Sequence, residues 1–298
     1  MTDFGFLTFL LITGFLVGGL GGTLGLGGGV IAAPVLLYVT PLVGLGTLPV
    51  STVTGLTMVL SLFSTVSSGL AHRQFGTMHM PLVRRMGGTM LVATFIGALL
   101  GRWAPDWLLL TLLALLAALG ALAFILVLGR SVRVQTPRDF VGWQPVAGGA
   151  AIGLLGGLVG QGGAFLVLPT LYHWIRQPMR VAVSTSIGVV FLSALGGVAG
   201  KILSSHAPLL PSAALALGGV FGGRLGATYS PQVPVRVLRL LLAVVLGATA
   251  LRIGVDAWHR LPRQPALSAA PVSDAGIIAA AQWLPELSSG ALRPRHDA

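Results

Sequence analysis

Residues 18–29 read Gly18-Gly19-Leu20-Gly21-Gly22-Thr23-Leu24-Gly25-Leu26-Gly27-Gly28-Gly29 and lead into Pro34-Val35-Leu36-Leu37-Tyr38. Glycine this dense inside an apolar run has two physical uses. Small residues let helix backbones approach closely within a membrane. They also weaken a helix, here over Gly25 to Gly29, and Pro34 falls in the first turns of whatever helix resumes, where its missing N–H is tolerated. A helix restarting inside a bilayer presents unpaired N–H groups and a positive dipole end, both of which favour an anion. Such backbone persists at that depth only when buried in protein or lining a wet cavity. Packing and site formation both remain open from this stretch alone.

The stretch has an echo. Gly153-Leu154-Leu155-Gly156-Gly157-Leu158-Val159-Gly160-Gln161-Gly162-Gly163 leads to Pro169-Thr170-Leu171-Tyr172, with Pro169 in register with Pro34. Val50-Ser51-Thr52 is echoed by Val183-Ser184-Thr185, and Gly69-Leu70-Ala71-His72-Arg73 by Gly197-Val198-Ala199-Gly200-Lys201. Four matched landmarks at similar separations mark an internal repeat. Paired helix breaks at corresponding positions of two repeats are the best sequence pointer to a transport site.

The chain around these stretches belongs to lipid. Of its 298 residues 54% are hydrophobic and 8% charged, against about a quarter charged in a soluble domain. A bilayer core takes about 20 apolar residues of helix, and that ruler finds runs near 4–39, 51–71, 81–101, 107–128, 146–174, 181–203, 208–227 and 235–255. The expected fold is all-α: a polytopic membrane protein of two homologous repeats of about four transmembrane helices each, with a broken first helix in each. The first repeat spans 1–129, a polar linker 130–145, the second repeat 146–258, and a polar, proline-rich, disordered tail 259–298, with one short helix expected at 274–287. Met1-Thr2-Asp3 carries no basic n-region, so the first run reads as a retained helix.

With eight spans, twelve of the 18 Lys and Arg residues fall on the side of the termini, which places both in the cytoplasm and the chain in the cell inner membrane. Four crossings per repeat would make the halves parallel. An extra pass at each glycine-rich run would make them inverted.

Charge narrows the substrate. Asp3, Asp106, Asp139, Asp256, Asp274, Glu286 and Asp297 are the acidic residues, and each sits at the edge of an apolar run, in a loop or in the tail. A cation carrier or carboxylate proton relay usually holds an acid inside the membrane, so an anion is favoured. The net charge of +11 falls mostly at the ends of apolar runs, where headgroups account for it, and no nucleic-acid partner is expected. Cysteine is absent, which excludes disulfides and thiolate metal sites. Gly27-Gly28-Gly29 lacks the strand and acid of a dinucleotide fingerprint. No nucleophile elbow, acidic cluster or His-Glu-x-x-His is present, so neither enzyme activity, a catalytic residue, a metal nor a cofactor is expected.

The polar residues near the breaks supply the candidate site. Ser51 and Thr52 open the second run, Ser184 and Thr185 the sixth; hydroxyls donate to an anion without fixed charge, or cap a helix. Gln161, inside the second break, offers an amide to substrate or caps freed carbonyls. With Gly27, Gly28, Gly29, Gly162 and Gly163 these form the substrate-binding set. Arg73 and Lys201 either attract anions or snorkel to the interface. Arg224 is an interface anchor or a site cation. His72, His79, His173 and His206 sit near expected interfaces, where a histidine relays protons in some carriers.

The twin Gly-Gly-x-x-Gly-x-Gly-Gly segments at 21–34 and 156–169, each ending in proline, and the Ser/Thr starts at 51 and 184 resemble the sulfite exporter TauE/SafE family of small-anion transporters. The resemblance covers residues 4–255. It implies about eight helices in two repeats and export of sulfite or an organosulfonate across the cytoplasmic membrane. Rocking of one half against the other, coupled to the proton gradient, is the mechanism expected of the paired breaks. A passive anion channel or a non-transporting membrane partner is the alternative. A homodimer is compatible with the sequence, though no residue argues for it. Gln161 stands where the first break has Leu26, and Ala164 is set against Val30, so the second break is not a copy of the first.

Overall fold

The computed structural model describes residues 4–73, 76–128, 142–204, 208–232 and 235–260. They form helices joined by short turns, with no strand among the described residues. In chain order these are α1 (Phe4–Leu24), α2 (Gly29–Leu42), α3 (Val50–Arg73), α4 (Met80–Leu100), α5 (Asp106–Leu128), α6 (Trp143–Val159), α7 (164–174), α8 (Met179–Leu203), α9 (Leu209–Tyr229) and α10 (Val235–Arg260). The tail helix expected at 274–287 and linker residues 130–141 lie outside the described residues; linker residues 143–145 already belong to α6.

Helices α1, α3, α4, α8 and α9 are long and apolar enough to cross a membrane. Large apolar side chains point outward, among them Ile12 and Leu16 on α1 and Leu217 and Phe221 on α9. Glycines and hydroxyls point inward. Lipid as the outer solvent accounts for that arrangement, since helices there associate through small residues rather than by hiding apolar ones.

The two long glycine-rich runs are each a helical hairpin rather than one interrupted span. In the first, Gly28 packs back onto Val17 and Gly21 of α1. In the second, Gly163 packs onto Ile152 and Gly156, Thr170 and Trp174 lie against Gly148, and the rings of Trp143 and Trp174 meet edge to face at 5.7 Å. Pro34 and Pro169 are each followed at once by a π turn, Val35–Val39 and Thr170–Trp174. A proline ring clashes with the carbonyl four residues back and donates no hydrogen bond, and a wider turn relieves both.

Glycine contacts also fix the helix directions. Gly14, Gly18 and Gly22 of α1 meet Leu215, Gly219 and Gly223 of α9, so these two run parallel. Ser64 and His72 of α3 bond the carbonyls of Gly18 and Gly22, so α3 is parallel to them. A second parallel set comprises α4, α6 and α8: Gly149, Gly153 and Gly157 of α6 lie on Met86, Met90 and Thr94 of α4, and Gly196 and Gly200 of α8 on Leu91 and Phe95. The sets oppose each other, because α3 and α8 are antiparallel, with His72 beside Ser184, Gly69 beside Ile187 and Met58 beside Gly197. These two central helices are the most enclosed of the five, 72% and 67% buried against 39–44% for the rest.

Because the chain has no cysteine, this register has a direct test. A Cβ on Gly69 would stand 3.5 Å from the Ile187 side chain. The pair Gly69→Cys with Ile187→Cys is expected to cross-link under mild oxidant, read as a reducible gel shift; Leu56→Cys with Ile187→Cys is expected not to.

Candidate functional site

Each hairpin turn begins where a left-handed glycine ends the helix. Gly25 (φ 75°) ends α1 and Gly160 (φ 81°) ends α6, a conformation in which a side chain would crowd the backbone. The N–H of Leu26 then returns to the Gly21 carbonyl (3.0 Å), and those of Gln161 and Gly162 to Gly156 (3.0 and 3.1 Å). At the restart, Ile31 and Ala32 both donate to the Gly28 carbonyl (3.1 Å each), as Leu166 and Val167 do to Gly163 (2.9 and 3.3 Å). None of these bonds uses the N–H groups of Gly27, Gly28, Gly29 or Val30 in the first turn, or of Gly163 and Phe165 in the second. Backbone register sets Ala164 against Gly29, not Val30.

The turns rest on the crossing of α3 and α8. Carbonyls freed inside a bilayer need donors, and hydroxyls provide them. Ser186 donates to Gly25 (2.8 Å), Thr57 to Gly160 (2.7 Å) and Ser193 to Gly162 (2.9 Å), with Thr94 bonded to Ser193 in turn (2.7 Å). Thr57 serves both hairpins, since its own carbonyl lies 3.2 Å from where a Cβ on Gly29 would stand. Gly27 touches both central helices, at Thr65 and Val190. Ser61, eleven residues into α3 and so about 16 Å along it, marks the level at which the two turns approach from opposite sides.

Two polar side chains at this level have no partner. Gln161 is fully buried with both its amide nitrogen and its amide oxygen unbonded, and the buried Ser61 hydroxyl, pressed against Gly29, is unbonded too. A buried polar group without a partner costs about 1–3 kcal/mol, so such groups invite an explanation. Asp106 lies away from them, exposed at the start of α5.

The candidate residues named from sequence divide in two. Gly27, Gly28, Gly29, Gln161, Gly162 and Gly163 lie in the turns. Ser51 and Thr52 are half-buried at the start of α3, where the Ser51 carbonyl accepts the Thr54 hydroxyl. Ser184 bonds Thr77 (2.6 Å), His72 (3.3 Å) and the Arg180 carbonyl (3.1 Å), and Thr185 accepts the His79 N–H (3.0 Å), so both hold the segment before α4. The hydroxyls at the turns are instead Thr57, Ser61, Ser186 and Ser193. A signal for them was present: Thr54, Thr57, Ser61, Ser64 and Ser68 recur every three or four residues, one helical face, and all are buried. Lys201 does not snorkel, being 1% exposed. Arg224 and His173 point outward; the Arg73 side chain and His206 lie outside the described residues.

A family model described as Sulfite exporter TauE/SafE matches residues 10–253. The probable membrane transporter protein YunE of Bacillus subtilis is 27% identical over 267 residues, 80% of this chain and 93% of that protein. A probable membrane transporter protein of Haemophilus influenzae is 27% identical over 84% of this chain and 98% of its own length, and one of Methanocaldococcus jannaschii 25% identical over 82% and 94%. No solved structure matches.

Removing the hydroxyl that holds a turn leaves a buried carbonyl unpaired. Thr57→Val is therefore expected to destabilise the detergent-solubilised protein by about 1–3 kcal/mol, measured by thermal unfolding. Gly163→Ala, with φ 66° and the Ile152 carbonyl in the way, is expected to cost more.

Proposed function

Because the chain belongs to the sulfite exporter TauE/SafE family, we propose that this membrane transporter is a secondary carrier that exports a small oxyanion, sulfite or an organosulfonate, across the cytoplasmic membrane. One observation carries the reading: the unpartnered Gln161 amide and Ser61 hydroxyl, buried where two opposed hairpin turns converge. Donors with no fixed charge suit an anion that must be released as readily as it is bound. The N–H groups of Gly27, Gly28, Gly29 and Gly163 extend the donor set, and a bound anion would satisfy these groups together with Gln161 and Ser61. Ser51, Thr52, Ser184 and Thr185 are not needed as ligands in this scheme.

The same landmarks support two repeats of inverted topology. The matched helices α3 and α8 are antiparallel, and α1 and α6 belong to the opposed sets. Carriers built from such repeats bind substrate near mid-membrane and expose it alternately by rocking one unit against the other. The hairpins also regroup the basic residues. Among the described helices, Arg102, Lys201, Arg252 and Arg260 belong to the face where α1 begins and α10 ends, and Arg73, Arg84, Arg85, Arg176, Arg180, Arg224, Arg236 and Arg239 to the opposite face. The positive-inside rule then puts the start of α1 and the end of α10 outside, the reverse of what eight simple spans imply. A biotinylatable tag before Phe4 is expected to react with an impermeant reagent on intact cells; labelling only after permeabilisation returns the ends to the cytoplasm.

Gln161→Leu, which copies Leu26 of the first hairpin, tests the site. It is expected to cut sulfite flux in proteoliposomes at least tenfold while leaving the melting temperature unchanged or raised. Flux at the wild-type level refutes the assignment. Counterflow of labelled sulfite against unlabelled sulfite separates a carrier from a channel, because only alternating access drives it.

A further inference from the structure

Lys201 is the one lysine among the 18 basic Lys and Arg residues of the chain. Every other fixed cation is an arginine, yet this lysine is buried in the last turn of α8 at 1% exposure. Its Nζ lies 3.4 Å from where a Cβ on Gly101 would stand, at the end of α4, and that same point is 3.0 Å from the Leu158 carbonyl, two residues before the second hairpin turns. No carboxylate or other acceptor among the described residues pairs with it. The register of α3 on α8, with Met58 at Gly197, sets Lys201 level with Thr54, which packs on Gly160. Lys201 therefore stands level with the second hairpin turn, near the face where α1 begins.

The opposite mouth is built differently. There His72 lies beside the first hairpin, and its ring is held by the Ser184 hydroxyl and the Gly22 carbonyl, 3.3 Å each. One mouth thus holds a basic group already hydrogen-bonded, the other a basic group with no counter-charge. An uncompensated charge enclosed in a bundle is costly, and an ammonium is a compact donor of three hydrogen bonds.

We infer that Lys201 forms a second anion subsite near the face where α1 begins, where its ammonium pairs with a small oxyanion in transit to or from Gln161. This rests on reading the protein as an anion carrier, and it makes the two mouths chemically unequal: one stage of passage is electrostatic, the other uses neutral donors.

A single lysine makes the test specific. An amine-acetylating reagent has only Lys201 and the α-amino group to modify, and the second is an internal control. In purified protein, sulfite is expected to slow Lys201 acetylation about tenfold, read by peptide mass spectrometry, with the α-amino rate unchanged. Lys201→Met is expected to weaken sulfite binding about tenfold by thermal-shift titration while leaving the ligand-free melting temperature equal or higher. The proposal is overturned if Lys201 is not acetylated at all, if sulfite leaves its rate unaltered, or if the Met variant melts lower with sulfite affinity unchanged; that last result would make Lys201 a cap on the end of α6. Sulfite flux without protection sinks this subsite alone, and protection without flux sinks the carrier reading alone.

Discussion

A peptide carbonyl released from its helix inside a bilayer has no water to turn to, and this molecule releases several. The turns at Gly25 and Gly160 are viable because Ser186, Thr57 and Ser193 donate hydroxyl hydrogens to the carbonyls of Gly25, Gly160 and Gly162. All else follows from where those hydroxyls stand. They lie on α3 and α8, so these helices must cross at the centre. They reach the turns only because glycine lets the hairpins come within hydrogen-bonding distance of helix backbone. Lipid-facing surface and interior accordingly exchange their usual chemistry, with leucine outside and serine, threonine and glycine within.

Much of this is legible in the amino-acid sequence. The density of glycine at 18–29 and 153–163, with proline at a fixed distance, marks two breaks, and both are present. What the sequence could not state was direction. A glycine-rich break in a helix of apolar residues reads the same whether the chain continues across or doubles back, because either path is apolar. The reversal appears only in long-range contacts such as Gly163 on Ile152 and Trp143 on Trp174. The hydroxyls beside the turns are harder to read. Ser51 and Ser184 open apolar runs in a matched motif, but helix starts are where capping also puts serine. The face of α3 bearing Thr54, Thr57, Ser61, Ser64 and Ser68 at helical spacing points to the turns, since burying five hydroxyls on one stripe needs a polar reason.

The two hairpins are similar in backbone and unequal in chemistry. Leu26 in one and Gln161 in the other occupy the same turn position, both fully enclosed. The Ser193 hydroxyl is engaged with Gly162 and Thr94, whereas the Ser61 hydroxyl, beside the first turn, is unbonded.

The partnership of α1 with α9 has a consequence for how the protein is made. Their glycine faces touch at Gly14 with Leu215 and at Gly22 with Gly223, about 200 residues apart along the chain. During synthesis α1 enters the membrane long before its partner exists, at a time when only lipid or the insertion machinery covers that narrow glycine strip. The first hairpin therefore completes its seat late, after α8 has delivered Ser186 and α9 has closed against α1, and truncation before α9 would leave an inserted but unassembled precursor open to quality-control proteolysis.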